Sequence, residues 1–284
     1  MKKLLLSTLV LTVLFVACKK DPAPPTLKVF GSMKTDPNGQ YQYLNLLGYN
    51  AINKPNGFSV SEIEAGKLFS IYGEAKYENE RLTQLDTGVA TTGTSVKYMY
   101  KYDNNDSSKV VKVIFFTIVP VRYDSLVYDN DNRLRAIYCR NQTYGLEYPF
   151  GIYKKDTLIW DANGNITKTY SFSVLNGKEG KDTIITSYTY DDRKSFLGTP
   201  KELFLLNYER GISYLSANNV LTQSTRYVAN DSVITTTNVY TYDRENDPAT
   251  VKVNKRFTKA GTELHNETTD FTINYERLII VEEE

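Results

Sequence analysis

Between Asn165 and Val174 the chain reads NITKTYSFSV, with Ile166, Lys168, Tyr170, Phe172 and Val174 on one face and Thr167, Thr169, Ser171 and Ser173 on the other. A period of two is the signature of a strand with one wet face. The polar stretch LNGKEGKD follows, and TIITSYTY then returns with Ile184, Tyr188 and Tyr190 alternating against Ile185. That combination predicts a β-hairpin. VKYMYKYD repeats the signal, with Val96, Tyr98, Tyr100 and Tyr102 on one side. A helical reading arises only over Gly57–Tyr72, where Ser61 and Glu64 have the spacing of a capping box, although Gly66 interrupts it. One short helix near the N-terminus is therefore expected at most. The 23 tyrosines and 12 phenylalanines, with abundant Thr, Val and Ile, suit a pleated surface. The fold class predicted is all-β.

The strands carry a repeated ending. Tyr or Trp followed by Asp or Glu occurs at Tyr77, Tyr102, Tyr128, Trp160, Tyr190, Tyr242 and Tyr275. A unit of about 25 to 34 residues holds two or three strands, which bury a face by stacking on neighbouring units. In the pairs Tyr128-Asp129, Trp160-Asp161, Tyr190-Asp191 and Tyr242-Asp243, the aromatic is expected to end a strand and pack inward. The Asp then caps the backbone of the next turn. Asn163-Gly164 in DANGN adds a tight-turn signal that needs positive φ at Gly164. The longest gap in the series contains LNYERGI at Tyr208, which looks like INYERLI at Tyr275. Antiparallel hairpin repeats stacked into a curved or spiral sheet are the expected architecture.

The N-terminus speaks to location. Lys2 and Lys3 precede an apolar run, Leu4–Val16, too short for the roughly 20 residues of a membrane-spanning helix and suited to a secretory signal. It ends in FVAC, where small Ala17 precedes Cys18. This resembles a bacterial lipobox, which implies that Cys18 carries a lipid and becomes the first mature residue. Pro22, Pro24 and Pro25 then favour an extended tether. The expected division is a signal peptide over 1–17, a lipidated tether over 18–26, a β-rich region over 27–95 and the hairpin repeats over 96–284.

WDANGNI (Trp160–Ile166) and YDNDNRL (Tyr128–Leu134) resemble the YD repeat of RHS-type secreted proteins, whose repeats run along a spiral of strands. Trp160, Asp161, Gly164, Asn165 and Ile166 match that pattern. Asn132 replaces the glycine in the second copy, and YDDRKSF and YDRENDP keep only Tyr-Asp. With the lipobox, the chain is similar to lipoproteins of gut and oral Bacteroidetes that carry such repeats in domains of unknown function. The likeness covers Tyr98 to the C-terminus and implies fold class and an envelope location. The toxin-enclosing role of large RHS proteins is not implied, because that cocoon needs dozens of repeats.

Charge and chemistry narrow the function by what they exclude. The chain has 34 basic and 33 acidic residues; losing Met1–Ala17 removes two lysines and no acid, leaving 32 against 33. Such a balance does not suit phosphate neutralisation, so nucleic acid is not an expected partner. Cys139 is the only cysteine besides Cys18, which leaves no intramolecular disulfide, and it reads as a packed thiol in a strand. DNDNR places Asp129 and Asp131 at calcium-loop spacing, but Arg133 stands where an oxygen ligand belongs. Glu263, His265 and Glu267 contain the only histidine and read as an exposed strand. No GxSxG elbow or phosphate loop occurs.

No catalytic residue, metal site or cofactor is assigned. Tyr144, Tyr148 and Phe150, set among Gly145, Pro149 and Gly151, are the candidate binding aromatics. The function expected is a non-catalytic envelope lipoprotein, anchored to the outer membrane and facing the periplasm or the surface. Its sheet would present a surface to a glycan, a peptide or a partner protein. A structural envelope component and a glycan-directed hydrolase are the alternatives.

Overall fold

The structure, a computed structural model, describes residues 25–35, 42–64, 67–89, 95–117, 120–141, 150–198 and 202–279. The first half of the sheet comprises β1 (Thr26–Lys34), β2 (Gln42–Leu46), β3 (Gly57–Glu64), β4 (Lys67–Glu78), β5 (Arg81–Val89), β6 (Ser95–Tyr102), β7 (Val110–Phe116) and β8 (Pro120–Tyr128). It continues through β9 (Leu134–Asn141), β10 (Gly151–Trp160), β11 (Ile166–Leu175), the short β12 (Lys178–Glu179) and β13 (Ile184–Lys194). After a helical insertion come β14 (Asn218–Tyr227), β15 (Ser232–Tyr242), β16 (Pro248–Lys259) and β17 (Thr262–Ile279). Each strand pairs with the next around the sheet; β11 pairs with β13, and β12 only extends the intervening turn. β17 then pairs back onto β1.

The result is a closed 16-strand antiparallel barrel. This corrects the expected curved or spiral stack. Hairpin pattern alone does not register whether the first and last strands meet, and here Asn274 Nδ2 donates to Ser32 Oγ across the seam at 3.3 Å. Closure removes both sheet edges, so no neighbouring repeat is needed to cover them. Val29–Glu276 form one compact unit, and the outer ends of the chain form a second, small one. The helix expected over Gly57–Tyr72 is not found among the described residues either: Gly57–Glu64 and Lys67–Glu78 are strands β3 and β4, paired residue for residue from Gly57↔Glu74 to Glu64↔Lys67. Sheet pairing along that whole length overrides a marginal capping signal.

A recurring bulge sets which side chains face the lumen. Tyr77 pairs with Leu82, Tyr102 with Val110, Tyr128 with Leu134, Trp160 with Ile166 and Tyr242 with Pro248, each beside a register shift. The extra residue on the return strand flips its first side chain to the other face. Ile166 is therefore fully buried, while Lys168, Tyr170 and Phe172 lie on the outer face with half-exposed Ile159, which pairs with Lys168. The single-face reading of Ile166 with Tyr170 and Phe172 fails at this bulge.

The insertion between β13 and β14 contains helix α1 (Leu203–Leu206) and a 3-10 turn at Ile212–Leu215. Its side chains touch strands from around the ring. Phe196 meets Phe30 of β1 and Tyr240 of β15, and Tyr208 meets Phe115 of β7. Tyr100 of β6 donates to the Leu205 carbonyl at 2.8 Å, and Tyr208 donates to Asp124 of β8 at 3.2 Å. A segment reaching β1, β6, β7, β8 and β15 at once lies inside the barrel. It is a plug, with Leu203 and Leu206 fully buried among the inward side chains Leu44, Phe58 and Val113 of the core.

Candidate functional site

One end of the barrel is built from the Tyr-Asp turns. Asp129 Oδ1 accepts the backbone N–H groups of Asp131 and Arg133, both at 2.9 Å. Asp161 Oδ1 accepts those of Asn163 and Asn165 at 2.9 and 2.8 Å, and Gly164 sits at φ +81°. Asp243 Oδ1 accepts those of Glu245 and Asp247 at 2.8 and 3.0 Å. Each carboxylate thus satisfies two donors that the turn would leave open.

The aromatic partners join hairpin to hairpin. Tyr102 donates to the carbonyl of Leu82, Tyr128 to that of Val110, Trp160 Nε1 to that of Leu134 and Tyr190 to that of Ile166, at 2.6–3.0 Å. Tyr275 does the same to Pro248 at 2.9 Å. Each acceptor is the first residue of the return strand of the preceding hairpin, or, for Leu82, the second.

Asp191 obeys the same rule across a much longer span. Its Oδ1 accepts from the Arg193 N–H at 3.0 Å and from the Asn219 N–H at 3.1 Å, and the Asn219 amide binds its other oxygen. Tyr242 donates to that second oxygen too. The plug is therefore an expanded Tyr-Asp turn, closed by the same carboxylate. Tyr208 belongs to this insertion and not to a strand, unlike its sequence twin Tyr275 in β17.

Between the turn ring and the plug lies a cavity of about 640 Å³. Its apolar wall includes Val110, Leu134, Trp160, Phe204, Leu205 and Leu215. Lys109, Arg133 and Lys194 supply charge, and no Asp or Glu lines it among the described residues. This volume and mixture fit a small-molecule site. Trp160 was singled out in the sequence as a turn residue; its ring lines the cavity and its Nε1–H binds the preceding hairpin at Leu134. Phe204 and Leu215 escaped the sequence reading because they come from the insertion, and Lys194 stands at the end of β13, just before it. One signal existed: LGTPKELFLLNYERGISYL breaks the period of two inside the longest gap of the repeat.

Deeper in the lumen, Asp124 is 1% exposed and accepts from Arg122 through both oxygens, at 3.2 and 3.0 Å. Burial opposes the Arg122 charge, but Asp124 offsets it and its pKa is raised. Lys154 holds Asp156 at 2.9 Å. Burial, with the Asp124 and Asp156 charges, pushes the Cys139 thiol well above its ordinary range, so this is no activated thiolate. Both lumen carboxylates are capped by cations, and Tyr208 and Glu209 of the plug dock on the Arg122–Asp124 pair. The cluster anchors the plug.

Apart from Arg133, the remaining sequence candidates among the described residues do not line the cavity. Tyr144 and Tyr148 fall outside the described residues, and Phe150 tilts onto Tyr123 at 5.1 Å. Arg133 bridges Asp129 and Asp131 at 3.0 and 2.7 Å, occupying with a guanidinium the place a cation would take. Glu263 pairs with Arg256 at 2.6 Å, and His265 lies 3.3 Å from Glu267, all exposed. Asp243, Glu245 and Asp247 bring ligand atoms within 4.8 Å of one another, a grouping the sequence reading did not consider. Their turn already engages both backbone donors on Asp243.

No protein-family profile matches the chain, and no curated protein matches it. Among solved structures it is similar to a porin-like protein from Bacteroides uniformis, with TM-score 0.52 and 14% identity over 90% of this chain and 98% of that one. At this identity the likeness is one of fold. A porin-like protein from Bacteroides vulgatus matches with TM-score 0.39 and 10% identity, over 88% of this chain and 99% of that one. A Photorhabdus luminescens Tc holotoxin pore matches with TM-score 0.29 and 13% identity, over 88% of this chain and 16% of that one.

Proposed function

We propose that this chain is a non-catalytic binding protein of the bacterial cell envelope, tethered to the outer membrane by a lipid on Cys18. Its site is the cavity between the turn ring and the plug. The observation that carries this reading is the cavity itself: about 640 Å³, walled by Trp160 and plug leucines, with several cations at its lining. The envelope location is supported by the signal-like Leu4–Val16 run before Cys18, and by a fold shared with a protein described as porin-like.

A conducting pore is a poorer fit. The plug fills the lumen with buried Leu203, Phe204 and Leu206. Lys252 and Asp270 pair on the outer wall at mid-strand, at 3.8 Å, and Lys76, near the end of β4, reaches Asp86 on the same face at 2.7 Å. Membrane-spanning barrels are apolar outside, and each Lys at the bilayer midplane costs about 2–4 kcal/mol. This wall suits water.

Trp160 is the only tryptophan, so its emission reports on the cavity alone. Titration with a panel of apolar small molecules, soluble oligosaccharides and short peptides is expected to give a saturable shift for one class. Ala217→Phe, an exposed lining position at the mouth, should abolish it while leaving the melting curve cooperative. If no class shifts the emission of a folded protein, the cavity is not a binding site.

A further inference from the structure

We infer that the ligand of this cavity is an amphipathic carboxylate, with its apolar body against Trp160, Leu134 and Phe204 and its carboxylate at Lys194. The inference rests on the binding reading above and names the ligand class. It begins from charge. In a chain whose basic and acidic residues nearly balance, 34 against 33, a lining with three cations and no carboxylate is a local departure.

The three cations are not equivalent. Lys109 is held by Asp106 at 3.0 Å, and Arg133 by Asp129 and Asp131, with those acids all outside the lining. Lys194, exposed at the end of β13, has no side-chain partner among the described residues. An ammonium at the edge of an apolar cavity favours a ligand that brings one negative charge and buries the rest. Lys109 and Arg133 keep their carboxylates when the ligand binds, and their residual field adds to that of Lys194.

Neutral glycans are the poorer fit. Sugar recognition leans on convergent polar donors and acceptors, and Ser195 and Ser216 in this wall are already engaged. Ser195 Oγ accepts from the Gly198 N–H, and Ser216 Oγ accepts from the Ile166 N–H while contacting Tyr190. What remains open is apolar surface, the single Asn132 amide and the Lys194 charge. A cationic amphiphile would meet like charge from all three side chains.

Three probes of one chain length separate these terms on the full-length, folded protein: dodecanoate, dodecanol and dodecyltrimethylammonium, each below its micellar concentration. Trp160 emission is the readout, and far-UV circular dichroism checks that the fold persists. Dodecanoate is expected to bind at least tenfold more tightly than either other probe, and Lys194→Glu to weaken it about tenfold, equivalent to about 1.4 kcal/mol. Lys194→Glu should leave dodecanol binding unchanged, which separates lost charge recognition from a damaged cavity. Equal affinity for all three probes, or dodecanoate binding unmoved by Lys194→Glu, would overturn the carboxylate assignment while the cavity reading stands. If a soluble oligosaccharide shifts Trp160 and dodecanoate does not, the ligand class is wrong but the site is right. Failure of every probe in the panel removes both.

Discussion

Asp161 spends one oxygen on two backbone donors, and that geometry ranks its substitutions. Asp161→Ala leaves the Asn163 and Asn165 N–H groups without their acceptor and is expected to cost about 0.5–2 kcal/mol, as for other local caps. Asp161→Asn keeps an acceptor oxygen and should cost less. Gly164→Val should also destabilise, because a β-branched side chain is strained at φ +81°. Urea midpoints of the three variants give the order, and near-zero losses in all of them would sink the turn assignment. Contacts of this reach, between residue i and residue i+4, are legible in a sequence because the donor, the acceptor and the glycine stand side by side. The Asp191–Asn219 contact is the same bond with a plug inserted between its partners, and nothing local announces it.

The hairpin is the element on which the ring of aromatics acts, and its phenols give the ring a pH dependence. Burial raises the Tyr102 and Tyr128 hydroxyls from 10.0 to about 12 while they donate to the Leu82 and Val110 carbonyls. A pKa raised by folding means the unfolded chain loses the proton first. Their contribution is therefore complete below about pH 10 and is lost as pH climbs towards 12. Tyr128→Phe should be less stable at pH 8 by about 0.5–1.5 kcal/mol, for the lost hydrogen bond. It should then lose less than the wild type between pH 10 and 12. Urea midpoints across that range test it; equal alkaline losses would remove Tyr128 from the account. At this scale the alternation of Val96, Tyr98, Tyr100 and Tyr102 was readable, since all four face the core. The alternation around Ile166 was not, because a bulge moves one residue across the sheet and a strict period of two has no place for it.

Closure belongs to the whole molecule, and it depends on β1 meeting β17 from opposite ends of the chain. No short-range pattern carries that information, so hairpin repeats read equally well as an open spiral. The same alternation misleads about membranes: a strand with one apolar face serves a lipid-facing wall or an apolar lumen, and only the closed structure tells which. Here the apolar faces of Leu82, Val113, Leu126 and Phe271 are buried on the plug side, and the outer wall carries the Lys76–Asp86 and Lys252–Asp270 pairs. On the proposed reading, a barrel built this way is expected to stay in solution without detergent. If its hold on the membrane is the lipid on Cys18, then Cys18→Ala expressed with its leader should lose lipid labelling. It should leave the membrane fraction and run as a folded species in plain buffer, with the same melting curve as the detergent-extracted wild type. Lipid labelling, fractionation and size exclusion on the two proteins decide the matter. A Cys18→Ala protein that stays in the membrane and aggregates without detergent would show that the wall itself meets lipid, and the reading of the barrel would have to be turned inside out.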